Sequence, residues 1–330
     1  MSSTITSYSP FRITFGGGGT DIEPFISTHG GFVVNATIDR GVRVSYKDDG
    51  HSLEISSRDL LRSYIVGANE HTEVLDRMVE LLEVNGVKRG RILLNGDVPP
   101  GSGLGSSSAL ITATLRLIGE LRGAVDPPGK MAEEAYDIEM NRFGVTLGRQ
   151  DPYAIAIGGF KGMAFRGKEF TVHPIQVGSR IFSEIDGGTI LVYTGKTRES
   201  TEALKDQVQA SRSGDMETIG NLERMKDVAE KMLHSALSGD LDGFYSLVNA
   251  AWEIKKRLGS RVTSERVERI IGTALSSGAR AARLMGGGRD GFVLVLCRPG
   301  DVDRIQSRLM SESEFVFRVS LDPQGTRILR

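Results

Sequence analysis

The fold of this chain is decided by one glycine-rich segment, Val98-Pro99-Pro100-Gly101-Ser102-Gly103-Leu104-Gly105-Ser106-Ser107-Ser108-Ala109. Its alternate glycines let the backbone point several N–H groups toward one place. The apolar residues that follow recur at helical spacing from Ala109 to Leu121, and Gly123 ends the pattern. The loop therefore leads into the positive end of a helix dipole, an arrangement that suits a polyphosphate. An ordinary glycine turn before a serine-capped helix is the simpler alternative.

Two common nucleotide-binding patterns do not fit the chain. A P-loop needs a glycine five positions before its closing Gly-Lys-Thr, and Ile190 occupies that position before Gly195-Lys196-Thr197. The dinucleotide pattern fails because Ser106 stands where its last glycine belongs. Protein-kinase signatures are absent as well. If the loop binds a nucleotide, it does so through another pattern.

The composition predicts a cytoplasmic protein of two domains. The chain has 330 residues, a formal net charge of −1, and neither a signal-like start nor an apolar run of membrane-spanning length. A nearly neutral chain has no general attraction to nucleic acid or to a membrane, so we expect a small-molecule substrate. The composition leaves monomer and homodimer open. The single cysteine, Cys297, excludes an intrachain disulfide, and the scattered histidines argue against a zinc site.

Periodicity along the chain predicts an α+β protein. Phe11, Ile13 and Phe15 alternate with polar residues, which predicts a strand that ends at glycines 16–19. Asp151-Pro152 has the form of an N-cap followed by a first-position proline, in a short helix that Gly158 closes. A change of rhythm near residue 186 predicts a domain boundary between residues 1–185 and 186–330. Further strands are expected within 31–44, 53–55, 91–94, 189–193, 292–297 and 315–320, and helices within 74–82, 130–143, 199–258, 264–277 and 302–311.

Several segments together resemble the galactokinase, homoserine kinase, mevalonate kinase and phosphomevalonate kinase (GHMP) superfamily. Residues 99–108 are similar to its central ATP-binding motif, usually PxxxGLGSSA. Residues 9–21, 193–198 and 252–258 resemble the form found in heptose 7-phosphate kinases. The third motif departs from the usual GAGGGG and reads Gly286-Gly287-Gly288-Arg289-Asp290-Gly291. The resemblance implies a two-domain GHMP kinase fold, with a ribosomal-protein-S5-like N-terminal domain and a ferredoxin-like C-terminal domain.

The resemblance also implies roles for individual residues. It assigns ATP to Pro100, Gly101, Gly103, Leu104, Gly105, Ser106, Ser107 and Ser108, and the acceptor to Gly17, Gly18, Thr20, Asp21, Lys196, Arg198 and Gly287. It assigns catalysis to Asp151 and Arg12. It assigns Mg²⁺, which prefers hard oxygen ligands, to Ser107 and Glu139. Without the resemblance, Asp151 is interpreted as a helix cap, Arg12 as an exposed strand residue and Asp21 as a turn cap.

The implied reaction is transfer of the γ-phosphoryl group of ATP to a hydroxyl. The likeness to heptose kinases implies a phosphorylated sugar, such as D-glycero-D-manno-heptose 7-phosphate, as the acceptor, at its anomeric hydroxyl. A kinase acting on mevalonate or one of its phosphates is an alternative, since the superfamily includes such activities. Lys196, Arg198 and Lys255 suit either a phosphate or a carboxylate, so their charge does not choose between the substrates. A catalytically silent nucleotide or sugar sensor is another. In the third motif, Arg289 either adds a cation to the phosphates or pairs with Asp290 at the surface.

Overall fold

The computed structural model of the chain describes residues 4–49, 52–58, 62–65, 73–195, 201–259 and 262–330. Within these residues the strands form one sheet of eight strands and one of four. The strands are β1 (Thr4–Gly16), β2 (Gly31–Lys47), β3 (Leu53–Ser57), β4 (Arg62–Ile65), β5 (Gly90–Gly96), β6 (Phe160–Arg166), β7 (Glu169–Pro174), β8 (Thr189–Tyr193), β9 (Ala281–Leu284), β10 (Phe292–Leu296), β11 (Val316–Arg318) and β12 (Arg327–Leu329).

Helices occupy much of the remaining described chain. They are α1 (Phe25–His29), α2 (Glu73–Val84), α3 (Ser106–Arg122), α4 (Pro128–Asp137), α5 (Gln150–Ile157), α6 (Arg180–Gly187), α7 (Thr201–Arg212), α8 (Met216–Ser238), α9 (Leu241–Lys256), α10 (Glu265–Ser276) and α11 (Val302–Leu309). A π-helical turn, Ile138–Arg142, continues α4. Among the helices of the described residues, none combines the length and the apolar character that crossing a membrane requires.

The larger sheet is organised around the long strand β2. The first half of β2 pairs with β6 and the second half with β5, so the sheet divides along this strand. Strand β1 pairs with the other edge of β2 and shifts register between Pro10 and Arg12. At that irregularity the backbone N–H of Arg12 donates to the carbonyl oxygen of Leu104 at 3.1 Å. The interruption of the ladder thus ties the glycine-rich loop to β1.

The strand predicted at β1 is confirmed, although both of its faces are buried from Ser7 to Gly16. Phe11, Ile13 and Phe15 are fully buried in the main hydrophobic core. The ring of Phe15 lies 5.1 Å from that of Phe160 and 5.3 Å from that of Phe244, measured between centroids. This aromatic cluster joins β1, β6 and α9, so the core continues from the larger sheet into the C-terminal half of the chain.

The smaller sheet is antiparallel, in the order β11-β8-β10-β9, and has a core of its own under α10 and α11. Cys297 is buried beside it, as expected for a structural cysteine. The chain does not end in this sheet, because β12 returns to pair with β1. The boundary between residues 185 and 186 stays a prediction.

The N-cap predicted at Asp151 is wrong. Helix α5 begins at Gln150, and Asp151 lies within its first turn. The physical reason is that a distant residue supplies the cap: the backbone N–H of Gln150 donates to Asp21 Oδ2 at 2.8 Å. The side chain of Asp151 is therefore free for another partner. The predicted helix after the glycine loop is confirmed, ending at Gly123 with a φ of 66°.

Candidate active site

Most of the predicted site residues line one cleft. Its empty volume, counted out to open solvent, is about 1140 Å³. The cleft receives side chains and backbone from β1, from α9, and from two glycine segments that are far apart in sequence. The predicted residues that line it are Arg12, Gly18, Asp21, Gly101, Gly103, Gly105, Ser106, Ser107, Ser108, Glu139, Asp151 and Gly287.

The glycine-rich loop has the backbone that its sequence predicts. Gly101, Gly103 and Gly105 have φ values of 72°, 82° and 78°, which favour glycine over other residues. The loop is also packed tightly against the third motif. A Cβ atom on Gly103 would lie 2.8 Å from the carbonyl oxygen of Met285, and one on Gly286 would lie 2.6 Å from Gly103 Cα. Both segments therefore need glycine for a backbone-to-backbone contact that holds the loop in place.

Arg12 and Asp151 form a bidentate ion pair inside the cleft. Arg12 Nε donates to Asp151 Oδ1 at 2.8 Å and Nη2 donates to Oδ2 at 2.7 Å. The remaining nitrogen, Nη1, donates to the carbonyl oxygen of Gly103 at 2.6 Å. Because Arg12 is only 5% exposed, it is not the solvent-facing strand residue of the alternative interpretation. One guanidinium group thus connects the glycine-rich loop to the first turn of α5.

Glu139 is a buried carboxylate held by two serine hydroxyls. Ser107 Oγ donates to Glu139 Oε1 at 2.6 Å, and Ser108 Oγ donates to Oε2 at 2.5 Å. Burial raises the pKa of Glu139 to about 7, against the lowering effect of both hydroxyls. The carboxylate and the exposed hydroxyl of Ser107 are hard oxygen donors, which fit Mg²⁺. Across the described part of the chain no cluster of three or more acidic, histidine or cysteine ligands occurs, so any Mg²⁺ here would need phosphate or water oxygens too.

Asp21 is held by backbone amides. Its Oδ1 accepts from the N–H of Gly19 at 3.1 Å, and its Oδ2 accepts from the N–H of Gln150 at 2.8 Å. A Cβ atom on Gly148 would lie 1.9 Å from Asp21 Oδ2, so Gly148 leaves room for the carboxylate. Burial raises the pKa of Asp21, against the lowering effect of these amides. Asp21 therefore caps α5 as well as lining the cleft.

Some predicted acceptor residues are not brought to the cleft. Thr20 is fully buried, and its hydroxyl donates to the carbonyl oxygen of Gly17 at 2.8 Å, with Phe32 O a second acceptor at 3.0 Å. Gly17 packs against the backbone of Phe32. These two residues shape the turn from within. Lys196 and Arg198 lie outside the described residues.

Leu104 and Pro100, the two remaining residues of the predicted ATP loop, lie outside the cleft lining. Leu104 is fully buried, and Pro100 lines an apolar pocket next to the cleft. The empty volume of this pocket is about 680 Å³. Its apolar wall consists of Phe11, Val42, Leu94, Val98, Pro100 and Leu110. Because Ser106 and Ser107 line both spaces, the apolar pocket and the cleft meet at the start of α3.

The structure brings two further cations into the cleft: Lys255, which the sequence already offered as an anion ligand, and Arg283, which it did not. Lys255 Nζ donates to the carbonyl oxygen of Gly286, while Arg283 Nη1 donates to that of Phe15 at 2.5 Å. Burial, followed by the charges of Arg283 and Arg12, lowers the pKa of Lys255 to about 7. Lys255 belongs to a segment that the resemblance covered, so the sequence signalled it. Arg283 precedes the third motif by three positions, and nothing in its short strand marks it as functional.

Arg289 follows neither interpretation of the altered third motif. It has a φ of 65°, in the left-handed region where the usual motif has glycine. Its side chain is exposed and is not part of the cleft lining. Across the described ranges of the chain, Arg289 and Asp290 make no ion pair with each other. The arginine in the altered third motif therefore adds no charge to the cleft.

Known proteins resemble this chain in sequence over both of its halves. The sequence matches the GHMP kinases N terminal domain over residues 65–159 and the GHMP kinases C terminal domain over residues 232–313, together just over half of the chain. It is 26% identical to a D-glycero-alpha-D-manno-heptose 7-phosphate kinase of Campylobacter jejuni, with 99% of each chain covered. It is 27% identical to a mevalonate kinase of Aeropyrum pernix, with 93% of this chain and 94% of the relative covered.

A solved structure shows the same fold over the whole chain. The crystal structure of a D-glycero-D-manno-heptose 1-phosphate kinase from Bacteroides thetaiotaomicron has a TM-score of 0.78 at 23% identity, with 99% of each chain covered. These matches confirm the predicted α+β fold with its two family domains. Members of the family are kinases, which supports a phosphotransferase activity. The chain belongs to the GHMP kinase superfamily.

Proposed function

We propose that this protein is an ATP- and Mg²⁺-dependent kinase that phosphorylates a hydroxyl of a phosphorylated sugar, such as D-glycero-D-manno-heptose 7-phosphate. The observation that carries the proposal is the bidentate pair of Arg12 and Asp151, held against the glycine-rich loop by the bond from Arg12 to Gly103. It sets a carboxylate and a permanent cation beside a loop suited to phosphates.

The nucleotide would lie across the apolar pocket and the cleft. The apolar pocket suits the flat base, and the loop amides together with the start of α3 suit the phosphates. Ser107 and Glu139 would hold Mg²⁺, and the Glu139 oxygens would give up hydrogen bonds from the serine hydroxyls to do so. When bound, Mg²⁺ and ATP supply charge compensation and the phosphoryl group.

Asp151 would act on the acceptor hydroxyl. Its carboxylate would take the proton as the hydroxyl oxygen bonds to phosphorus and the bond to the leaving ADP oxygen breaks. Arg12 would orient the Asp151 carboxylate and would offset the negative charge that develops on the transferred group. The acceptor itself would lie between Asp151 and the turn formed by Gly18, Gly19 and Asp21.

The heptose kinase of Campylobacter jejuni supports a sugar phosphate as the acceptor, because its similarity extends over 99% of both chains. The mevalonate kinase of Aeropyrum pernix supports a second candidate, mevalonate or one of its phosphates, at 27% identity. Both candidates use the same cleft and the same transfer chemistry. They differ in whether the acceptor is a polyol or a branched hydroxy acid.

The test is release of ADP from Mg-ATP with a panel of acceptors. The panel contains heptose 7-phosphates, other sugar phosphates, free sugars, mevalonate and its phosphates. We expect turnover with a heptose 7-phosphate, reduced about 1000-fold or more in Asp151→Asn, the scale expected of a lost catalytic base. Asp227→Asn, an exposed substitution on α8, is the matched control and should retain full activity. Turnover with mevalonate alone would support the second candidate. ATP binding without turnover on any acceptor would favour a sensor.

A further inference from the structure

Arg283 is a buried cation with unused hydrogen-bonding capacity. It lies on β9, is 1% exposed and forms part of the cleft lining. Its Nη1 donates to the carbonyl oxygen of Phe15, but its Nε is buried without a hydrogen-bond partner. Leaving a buried charged donor unsatisfied is costly, and such a group is normally completed by a ligand or water. The position of Arg283 in the cleft makes a ligand the simpler completion.

The charges around Arg283 indicate that this ligand is an anion. Among the residues that the structure describes, neither Arg283 nor Lys255 has a carboxylate within ion-pair distance, whereas Arg12 is neutralised by Asp151. Burial, and next the charge of Arg12, lowers the pKa of Arg283 to about 10, so it remains a cation at neutral pH. A buried charge without a counter-charge is destabilising. An anion in the cleft would relieve that cost.

Lys255 and Arg283 are close enough for the charge of Arg283 to lower the pKa of Lys255, but they donate hydrogen bonds to different segments of the cleft. Lys255 is bonded to Gly286, which packs on Gly103 of the glycine-rich loop. Arg283 is bonded instead to Phe15, the residue before the turn 16–19 that leads to Asp21. Lys255 is therefore associated with the loop suited to nucleotide phosphates. Arg283 is anchored to the residue that precedes the turn 16–19, and the proposed acceptor lies beside that turn.

We propose that Arg283 binds a phosphate monoester that the acceptor already carries. This inference rests on the proposed function, and it names the feature by which the site would select a phosphorylated sugar over the free sugar. The guanidinium group presents its donors in a planar fork that matches phosphate oxygens. The donors that Phe15 does not use, Nε among them, are the ones that the phosphate would engage.

The experiment measures binding by calorimetry in the Asp151→Asn background, so that turnover does not interfere. The probes are D-glycero-D-manno-heptose 7-phosphate and the same heptose without its phosphate. Arg283→Met is expected to weaken binding of the phosphorylated sugar about 30-fold or more and that of the free sugar less than about threefold. Arg289→Met, which removes an exposed arginine outside the cleft, is the matched control and should change neither.

A conservative variant separates a loss of phosphate binding from misfolding. Arg283→Lys keeps the charge but not the fork, so binding of the phosphorylated sugar should weaken about tenfold, with the free sugar unchanged. Equal weakening of both sugars would show that Arg283 only supports the fold, and the inference would be wrong. If the Arg283 variants bound ATP more weakly but kept the wild-type preference between the two sugars, Arg283 would belong to the nucleotide site, and the inference would again be wrong.

The two proposals fail separately. Wild-type protein that turns over heptose 7-phosphate, with the preference for phosphate unaffected in both Arg283 variants, would overturn the assignment of Arg283 alone. Wild-type protein that turns over no acceptor, but binds the phosphorylated sugar through Arg283, would remove the kinase activity and leave the anion site.

Discussion

Asp21 and Glu139 are both buried carboxylates that line the same cleft, yet the protein holds them in different ways. Asp21 accepts hydrogen bonds from the backbone amides of Gly19, in its own turn, and of Gln150, in a segment far away in the sequence. Glu139 accepts from the side-chain hydroxyls of Ser107 and Ser108, next to each other on α3. Backbone donors are fixed by the fold, whereas hydroxyls rotate and can be exchanged for other partners. Asp21 is thus suited to holding α5 in place, and Glu139 to taking up a metal ion.

After the loss of Asp151 itself, the largest effect on turnover is expected at Arg12, which joins the glycine-rich loop to α5. Arg12→Lys cannot bond both oxygens of Asp151 and the Gly103 carbonyl at once, so we expect kcat to fall about 100-fold. The measurement is ADP release with saturating acceptor. Arg40→Lys, at an exposed pair with Asp39, is the control and should leave kcat unchanged. An Arg12→Lys enzyme with normal kcat would mean that turnover does not require the link between the glycine-rich loop and α5.

The backbone clamp on Asp21 is tested by Gly148→Ala. The new methyl group would overlap Asp21 Oδ2, so the carboxylate or the α5 segment must move. We expect the free energy of unfolding to fall by about 3 kcal/mol, from steric strain and loss of the cap. Urea unfolding measures this change.

Gly220→Ala is the matched control for the Gly148 variant. A Cβ at Gly220, inside α8, meets nothing within 4 Å. That variant should be unchanged or more stable by about 1 kcal/mol, because alanine favours helix. Equal stability of Gly148→Ala and wild type would show that Asp21 is not clamped as described.

Glu139, the carboxylate held by serine hydroxyls, is tested by comparing how the stability of wild type and of Glu139→Gln depends on pH in metal-free protein. The folded protein keeps the Glu139 proton up to a pKa of about 7, while the unfolded chain releases it near 4.5. The contribution of Glu139 to the free energy of unfolding therefore falls as the pH rises between these values and is constant above them. Relative to Glu139→Gln, wild type should lose about 3 kcal/mol between pH 4 and pH 8, measured by urea unfolding. Parallel curves for the two proteins would contradict the raised pKa.

The smallest effect separates the two hydroxyls that hold Glu139. Ser108→Ala removes a buried donor and should lower the free energy of unfolding by about 1 kcal/mol. Ser107→Ala removes an exposed donor and should cost less stability, while raising the Mg²⁺ concentration needed for activity. Urea unfolding and Mg²⁺ titration of turnover distinguish the two variants. If the effects were reversed, Ser108 would be the better metal ligand.

Local patterns predicted the glycine-rich loop and its helix. Glycine permits the left-handed φ values at positions 101, 103 and 105 and the end of α3 at Gly123, although distant contacts with Met285 and Gly286 hold the loop in place. The outer strands β6, β7 and β12 were not predicted. Strands β6 and β12 are stabilised by pairing with the distant strands β2 and β1, and β7 forms a hairpin with β6. The cap of α5 was misplaced for a similar reason, since its donor and acceptor are 129 positions apart.

The sequence by itself determined the class of fold and pointed to the phosphate-suited loop and to Arg12 and Asp151 as candidates, through patterns of contiguous residues and their resemblance to a family. Only the tertiary structure decided that Thr20 is turned inward, that Asp21 caps α5 and that Arg283 is left with an unpaired donor. The physical reason is that backbone freedom and helical period are local properties. Compensation of a buried charge depends on which groups folding brings within hydrogen-bond distance.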